Sequence, residues 1–253
     1  MIAARLINGL RPAIILAGLL TAWQLTVIAT DVPRYILPGP YRVAQVLLTR
    51  WPDLLTHAGV TVAEILLGLA LGTLLGGMSA ILIVSFQPAR RWLLPVLVVS
   101  QAMPVFALAP ILTLWLGYGI GSKVAMATLI IFFPVTSAFV DGLRRTEQGW
   151  LDLAHTMNAS PSRILWHVRV PAALPAFASG LRVATAVAPI GAVVGEWVGA
   201  SAGLGYLMLH ANARMQVDVM FAALFVLAIF ALTLYYAVDM GMRALIRWQP
   251  EAG

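Results

Sequence analysis

The chain contains no cysteine. Disulfides, iron–sulfur clusters and thiol catalysis are therefore excluded, although the compartment is left open. Charge is scarce as well. Only 10% of the 253 residues are Asp, Glu, Lys or Arg, against roughly 25% in an ordinary soluble domain. So few charges cannot give a soluble core a polar shell. Acids are the minority, ten against sixteen basic residues, and one of the sixteen is lysine. In a soluble chain this basic excess raises nucleic-acid binding. In an apolar one it marks loops on the cytosolic side of a membrane, and no nucleic-acid partner is expected. The phosphate-binding pattern GxxxxGK[ST] and the nucleophile pattern G-x-S-x-G are absent. Gly203-x-Gly205 alone is too short a signal. His57, His155, His167 and His210 lie in three loops without ligand spacing. No metal and no cofactor are expected.

What remains is apolar. Hydrophobic residues make up 61% of the chain and come in runs near the ~20 residues that cross a bilayer. The pattern predicts an all-α integral membrane protein, one domain over 1–253. About six transmembrane helices are expected, at 12–30, 60–84, 92–116, 123–140, 177–198 and 218–239. The first run competes with a cleaved signal peptide, but it is long for a signal core and further spans follow. Between the first two spans, an amphipathic piece near Val43–Arg50 reads as a surface helix. Six spans place both termini on one side. With the N-terminus inside, eleven basic residues fall on or near the cytosolic side and five outside. The expected location is the bacterial inner membrane, multi-pass, with both termini cytoplasmic.

Gly68, Gly72 and Gly76 recur on one face of the second span, spacing that lets membrane helices approach closely. Pro95, Pro104 and Pro110 interrupt the third span, and Pro189 and Gly191 the fifth. Proline frees carbonyls that need partners inside the protein, so these segments either wall a pathway or kink a packed helix. Two acids sit at span depth, a costly place for charge. Glu64 is one turn inside and reads as reaching the interface. Glu196, beside Trp197, reads either as lining a pathway or as capping amides of the following loop. The loop itself, 199–217, reads as polar and rich in small residues. Pro104, Pro110, Pro189, Glu196 and Trp197 are the candidate pathway residues.

The longest polar interruption is Asp152 to Pro171, within a loop at 141–176. It reads as two short helices joined at Asn158-Ala159-Ser160. Asn tolerates the left-handed conformation that ends a helix; Ser160 then caps the next, with Pro161 at its first position. Trp150, Leu153, Ala154 and Met157 are expected on one side of the first helix, with Asp152, His155 and Thr156 towards the other. In the second, Ile164, Leu165 and Val168 share a side, with Arg163 and His167 elsewhere. The shape is an ordered docking surface.

Residues 152–171 resemble the EAA motif of the membrane subunits of binding-protein-dependent ABC importers. Asp152-Leu153-Ala154 stand for E-A-A, Asn158 for its Gly, Val168 for Ile and Val170-Pro171 for Leu-Pro. Ala154 and Pro171 match outright. Leu37-Pro38-Gly39-Pro40 and the segment from Pro104 to Lys123 resemble the taurine, nitrate and sulfonate branch of that family. The stretch from Ser179 to Ala222 is similar to permeases for pyrimidine precursors of thiamine. The resemblance implies a type I ABC importer (MetI-like) fold with a cytosolic coupling hairpin. It also implies a non-enzymatic transport subunit, paired with a second permease copy in the lipid bilayer. A cytosolic ABC ATPase would dock at Asp152, Ala154, His155, Asn158, Ser160, Arg163 and Pro171. A periplasmic or lipid-anchored binding protein would deliver the solute, a thiamine precursor or alternatively taurine, a sulfonate or nitrate. On this expectation Ala154→Glu leaves insertion and pairing intact but abolishes ATPase association. A self-contained secondary transporter would want a midplane ion relay or repeated halves. An intramembrane enzyme would want clustered His or Asp. Neither pattern is found.

Overall fold

The computed structural model describes residues 2–102 and 104–248. Met1 and Met103 lie outside the described residues, as does the end of the expected tail, 249–253. All described secondary structure is helical. In chain order it comprises α1 (Ile2–Thr30), α2 (Pro40–Thr49), α3 (Trp51–Ser85), α4 (Gln87–Ala102), α5 (Val105–Leu116) and α6 (Ile120–Arg144). After these come α7 (Gln148–Thr156), α8 (Pro161–Ile164), a π-helical turn (Leu165–Arg169), α9 (Val170–Gly199), α10 (Leu204–Ala213) and α11 (Val217–Leu245).

Among the described residues, four helical stretches are long and apolar enough to cross a membrane: Trp51–Ser85, Ile120–Arg144, Pro161–Gly199 and Val217–Leu245. Ile14–Thr30 and Phe106–Leu116 are shorter apolar helices. The run expected as one span over 92–116 is two helices, α4 and α5. Pro104 is the cause: it is extended (φ −62°, ψ 119°) and stands at the N-cap of α5. It has no N–H to join a helix ladder. The loop expected over 199–217 contains a ten-residue helix, α10. The amphipathic segment at 43–50 does form a short helix, α2, which buries Val43 and Val46.

α6 lies between α3 and α9, and glycines set the spacing on both sides. Gly68, Gly72 and Gly76 of α3 abut Ala127, Ile131 and Phe132 of α6. From the other side Gly191 of α9 backs onto the Ala127 main chain, where an added Cβ would stand 2.7 Å from Cα. Ala127 is thus clamped between two glycines. Lipid tails are as apolar as leucine, so burying apolar area gives these helices little reason to associate; close backbone packing does. Towards the 141–176 end, Arg182 of α9 and Arg243 of α11 both donate to Asp239. Trp23 of α1 stacks on Phe221 and Phe225 of α11.

The packing argument separates neighbouring glycines. A Cβ at Gly76 would come within 3.0–3.1 Å of Phe132 O, Thr136 Oγ1 and Val135 Cγ1, whereas Gly77 has nothing within 4 Å. Gly76→Ala should destabilise by about 1–3 kcal/mol through overpacking. Gly77→Ala should be neutral or stabilise by up to about 1 kcal/mol through helix propensity. Thermal unfolding of the two variants in detergent checks this; equal behaviour refutes the close α3–α6 contact.

Candidate functional site

Two polar assemblies stand at opposite ends of the α3–α6–α9 core. The first is the hairpin at 148–171. α7 ends in a Schellman motif: Asn158 N–H donates to His155 O (2.9 Å) and Ala159 N–H to Ala154 O (3.0 Å). Asn158 takes φ +56°, the left-handed geometry expected of it. Ser160 Oγ accepts from Arg163 N–H, and Pro161 opens α8. The second helix, however, is not short. It runs on through the π turn into α9 without a break. Val170 N–H bonds Leu165 O, five residues back. Pro171 explains the widening, because it has no N–H for His167 O and its ring crowds that carbonyl.

Leu151, Ala154 and Ile164 form the buried seam of the hairpin, with Ala159 and Val168 against it. Ala154 therefore faces inward, on the opposite side from its expected neighbours. Trp150, Leu153 and Met157 are 52%, 61% and 74% exposed. Their spacing puts them on one face of α7, a patch of large apolar side chains pointing away from the core. Asp152, His155, Asn158, Ser160 and Arg163 are exposed around it, and Pro171 is half-buried at the foot of α9.

The second assembly joins α3, α6, α9 and α10. Glu196 Oε1 accepts from Thr61 Oγ1 (2.6 Å), and Oε2 accepts from the Gly205 and Tyr206 amides. Thr61 Oγ1 also accepts from Leu204 N–H (2.7 Å), and His57 Nδ1 accepts from Gly203 N–H (3.1 Å). The first amides of α10, which have no partners within their own helix, are thus capped by side chains of α3 and α9. Gly203, at φ +115°, leaves no room for a Cβ against the Glu196 carboxyl. Lys123, 1% exposed, reaches the Tyr118 and Gly199 carbonyls at 2.6 Å each. Glu64, three residues after Thr61 on α3, is 2% exposed, and its Oε2 is buried without a partner.

Of the two readings given to Glu196, the geometry matches the cap. Glu64, expected from its sequence position to reach the interface, is instead 2% exposed and enclosed in this cluster. Lys123 and Thr61 were not singled out in the sequence. The signal for Glu64 was present, since it stands four residues before Gly68 and so shares the inward face of that glycine row. The other candidate pathway residues are not gathered with it. Pro104 and Pro110 are exposed on α5, Pro189 is buried within α9, and Trp197 is 45% exposed.

This arrangement, helices long and apolar enough to cross a membrane with a polar hairpin at one end, is that of an integral membrane component. The chain belongs to the family described as the binding-protein-dependent transport system inner membrane component, which matches residues 68–249. It is 58% identical to a Haemophilus influenzae protein named "Probable ABC transporter permease protein", over 92% of this chain and 95% of that one. It is 36% identical to the formylaminopyrimidine transport permease ThiX of Halalkalibacterium halodurans, over 96% and 98%. It is 31% identical to the taurine transport permease TauC of Escherichia coli, over 92% and 86%. A chain of the inward-facing MetNI methionine ABC transporter shares the fold, with TM-score 0.66 and 20% identity over 76% and 95%. The expected type I importer fold is thereby met, and the chain is an ABC transporter permease, a transport subunit.

The Schellman geometry makes Asn158 a test of the hairpin. Asn158→Gly should leave it intact. Asn158→Val should destabilise it by about 1–2 kcal/mol, because a β-branched residue resists positive φ. Limited proteolysis across 148–171 reads the difference, and equal cleavage of the two variants refutes the turn.

Proposed function

We propose that this permease lines the path of an ATP-driven importer for a hydroxymethylpyrimidine-type thiamine precursor, with α7 and the hairpin tip as the seat of a cytosolic ATPase. The observation that carries the docking reading is the exposed face of Trp150, Leu153 and Met157 on a hairpin whose own seam is already filled. Large apolar side chains held out from an ordered element mark a contact surface. The hairpin also continues as one helix into α9, so a push at α7 has a stiff element to act on. Asp152, His155 and Arg163 form the polar rim. A second permease copy completes the pathway, and a periplasmic or lipid-anchored binding protein delivers solute to the end bearing α10. The hairpin and both termini lie in the cytosol, as the arginine distribution favours.

The substrate reading rests on the near full-length similarity to the formylaminopyrimidine permease. Similarity to the taurine permease supports a second reading, a sulfonate importer. Titrating the cognate binding protein with hydroxymethylpyrimidine-type compounds, taurine and aliphatic sulfonates decides between them. Tight binding of the pyrimidine alone is the expected result; tight binding of taurine or a sulfonate overturns it.

The inward position of Ala154 changes the docking test. A glutamate there buries a charge in the hairpin seam and should unfold it. Leu153→Glu and Met157→Glu place the charge on the outer face instead. Each should leave the melting temperature of the purified permease unchanged and abolish co-purification of the ATPase. Undiminished co-purification by both variants refutes the α7 seat.

A further inference from the structure

The cluster at the α10 end contains more acid than its donors account for. Glu196 receives three donors: the Thr61 hydroxyl and the amides of Gly205 and Tyr206. That environment suits a carboxylate. Glu64 stands one helical turn beyond Thr61, the residue whose hydroxyl donates to Glu196, and so faces the same cluster. Two carboxylates cannot hydrogen-bond each other, since neither carries a donor. With both ionised, Glu64 Oε2 is buried without a partner, a costly state. Among the described residues, Lys123 is the buried cation of this cluster, its stem packed against Gly195 beside Glu196. Its two 2.6 Å contacts to carbonyls have the short length of ammonium donors. Two carboxylates and one ammonium, each no more than 2% exposed, leave one uncompensated negative charge inside the helix core.

We infer that Glu64 and Glu196 form a proton-binding site: a single proton resides on Glu64 and is donated to Glu196, which remains the carboxylate that caps α10. One proton supplies the missing donor and makes the cluster neutral with Lys123. A metal cation fits less well, because N–H and O–H donors already point at both Glu196 oxygens and Lys123 stands beside the pair. The other ionisable groups at this end do not supply the charge. His57 Nδ1 accepts from Gly203 N–H, and its other nitrogen faces Asp53 at 3.6 Å. On α10, His210 tilts against Tyr206 and bonds its carbonyl. Asp218, at the start of α11, pairs with Arg42. The proton therefore holds α3 to α9 and keeps α10 seated. This conclusion stands whichever solute the permease carries.

The test uses the full chain in lipid nanodiscs. Infrared spectra at neutral pH should show the carbonyl band of a buried protonated carboxylic acid, absent from Glu64→Gln. Gln donates an N–H where the acid donated its O–H, so Glu64→Gln should melt near the wild type. Glu196→Gln removes an acceptor that three donors need and should melt roughly 4–8 °C lower. As pH rises the wild type should lose stability while Glu64→Gln does not, because deprotonation sets two like charges side by side. Should Glu64→Gln fail to fold, the wild-type spectrum alone still decides. Absence of a protonated-acid band at neutral pH overturns the inference. So does a band unchanged in Glu64→Gln, or a wild-type melting temperature that responds to sodium at fixed pH.

Discussion

The backbone approach of α3 and α9 to α6 is the constraint on which the remaining structure depends. In water, a core of this size would be driven together by apolar burial. Between helices in lipid that drive is nearly absent, and what replaces it is contact density. The glycines at 68, 72 and 76 on one side and at 191 on the other let helix backbones touch. Polar bonds between helices become effective at that separation. Lys123 can bond the Gly199 carbonyl because Gly195 lets α9 lie against the lysine's own stem. Thr61 can reach Glu196 for the same reason. The polar cluster follows from the glycine rows.

Much of this was legible in residue order. The hairpin was readable because its determinants are local: an asparagine where φ must be positive, a serine three residues before the amide it caps, a proline at the first helical position. The glycine row was readable because period four on a helix is a face. The second helix of the hairpin was misjudged in length, since Pro171 reads as a terminus. Its effect was absorbed instead by a π turn, a local widening with no signature of its own. The grouping of Ala154 with Trp150, Leu153 and Met157 on one side of α7 did not hold: those three are exposed, while Ala154 lies in the buried seam with Leu151 and Ile164. A small side chain is what the close approach of two helices in that seam admits.

The capping cluster was the least legible part. Its residues come from four helices, and no spacing rule joins Thr61, Lys123, Glu196 and Gly205. α10 was missed for a related reason. A helix of ten residues is marginal by itself, and its own N-cap, Gly203, has no side chain to cap it. Its caps are Glu196, Thr61 and His57, two of them more than a hundred residues away. Local propensity could not reveal a helix whose termination is supplied by other helices.

These two ends are joined by one element. From Pro161 to Gly199 the chain is continuously helical, with the hairpin tip at its start and the α10 cap at its finish. A helix rises about 1.5 Å per residue, so this rod is long enough to connect the two faces of a bilayer directly. Displacement at one end is softened only where the ladder is irregular, at the π turn, and where proline interrupts it, at Pro175 and Pro189. Beyond those points the glycine contacts with α6 fix its path. Movement of the hairpin must therefore either bend the rod near Leu165–Arg169 or carry α9 along α6 and disturb the amides that Glu196 holds. The chemistry at the far end is built to resist the second motion, with three donors converging on one carboxyl. The hairpin and the α10 cap are thus the two ends of one continuous helix, tied at its finish by hydrogen bonds and along its length by packing against α6.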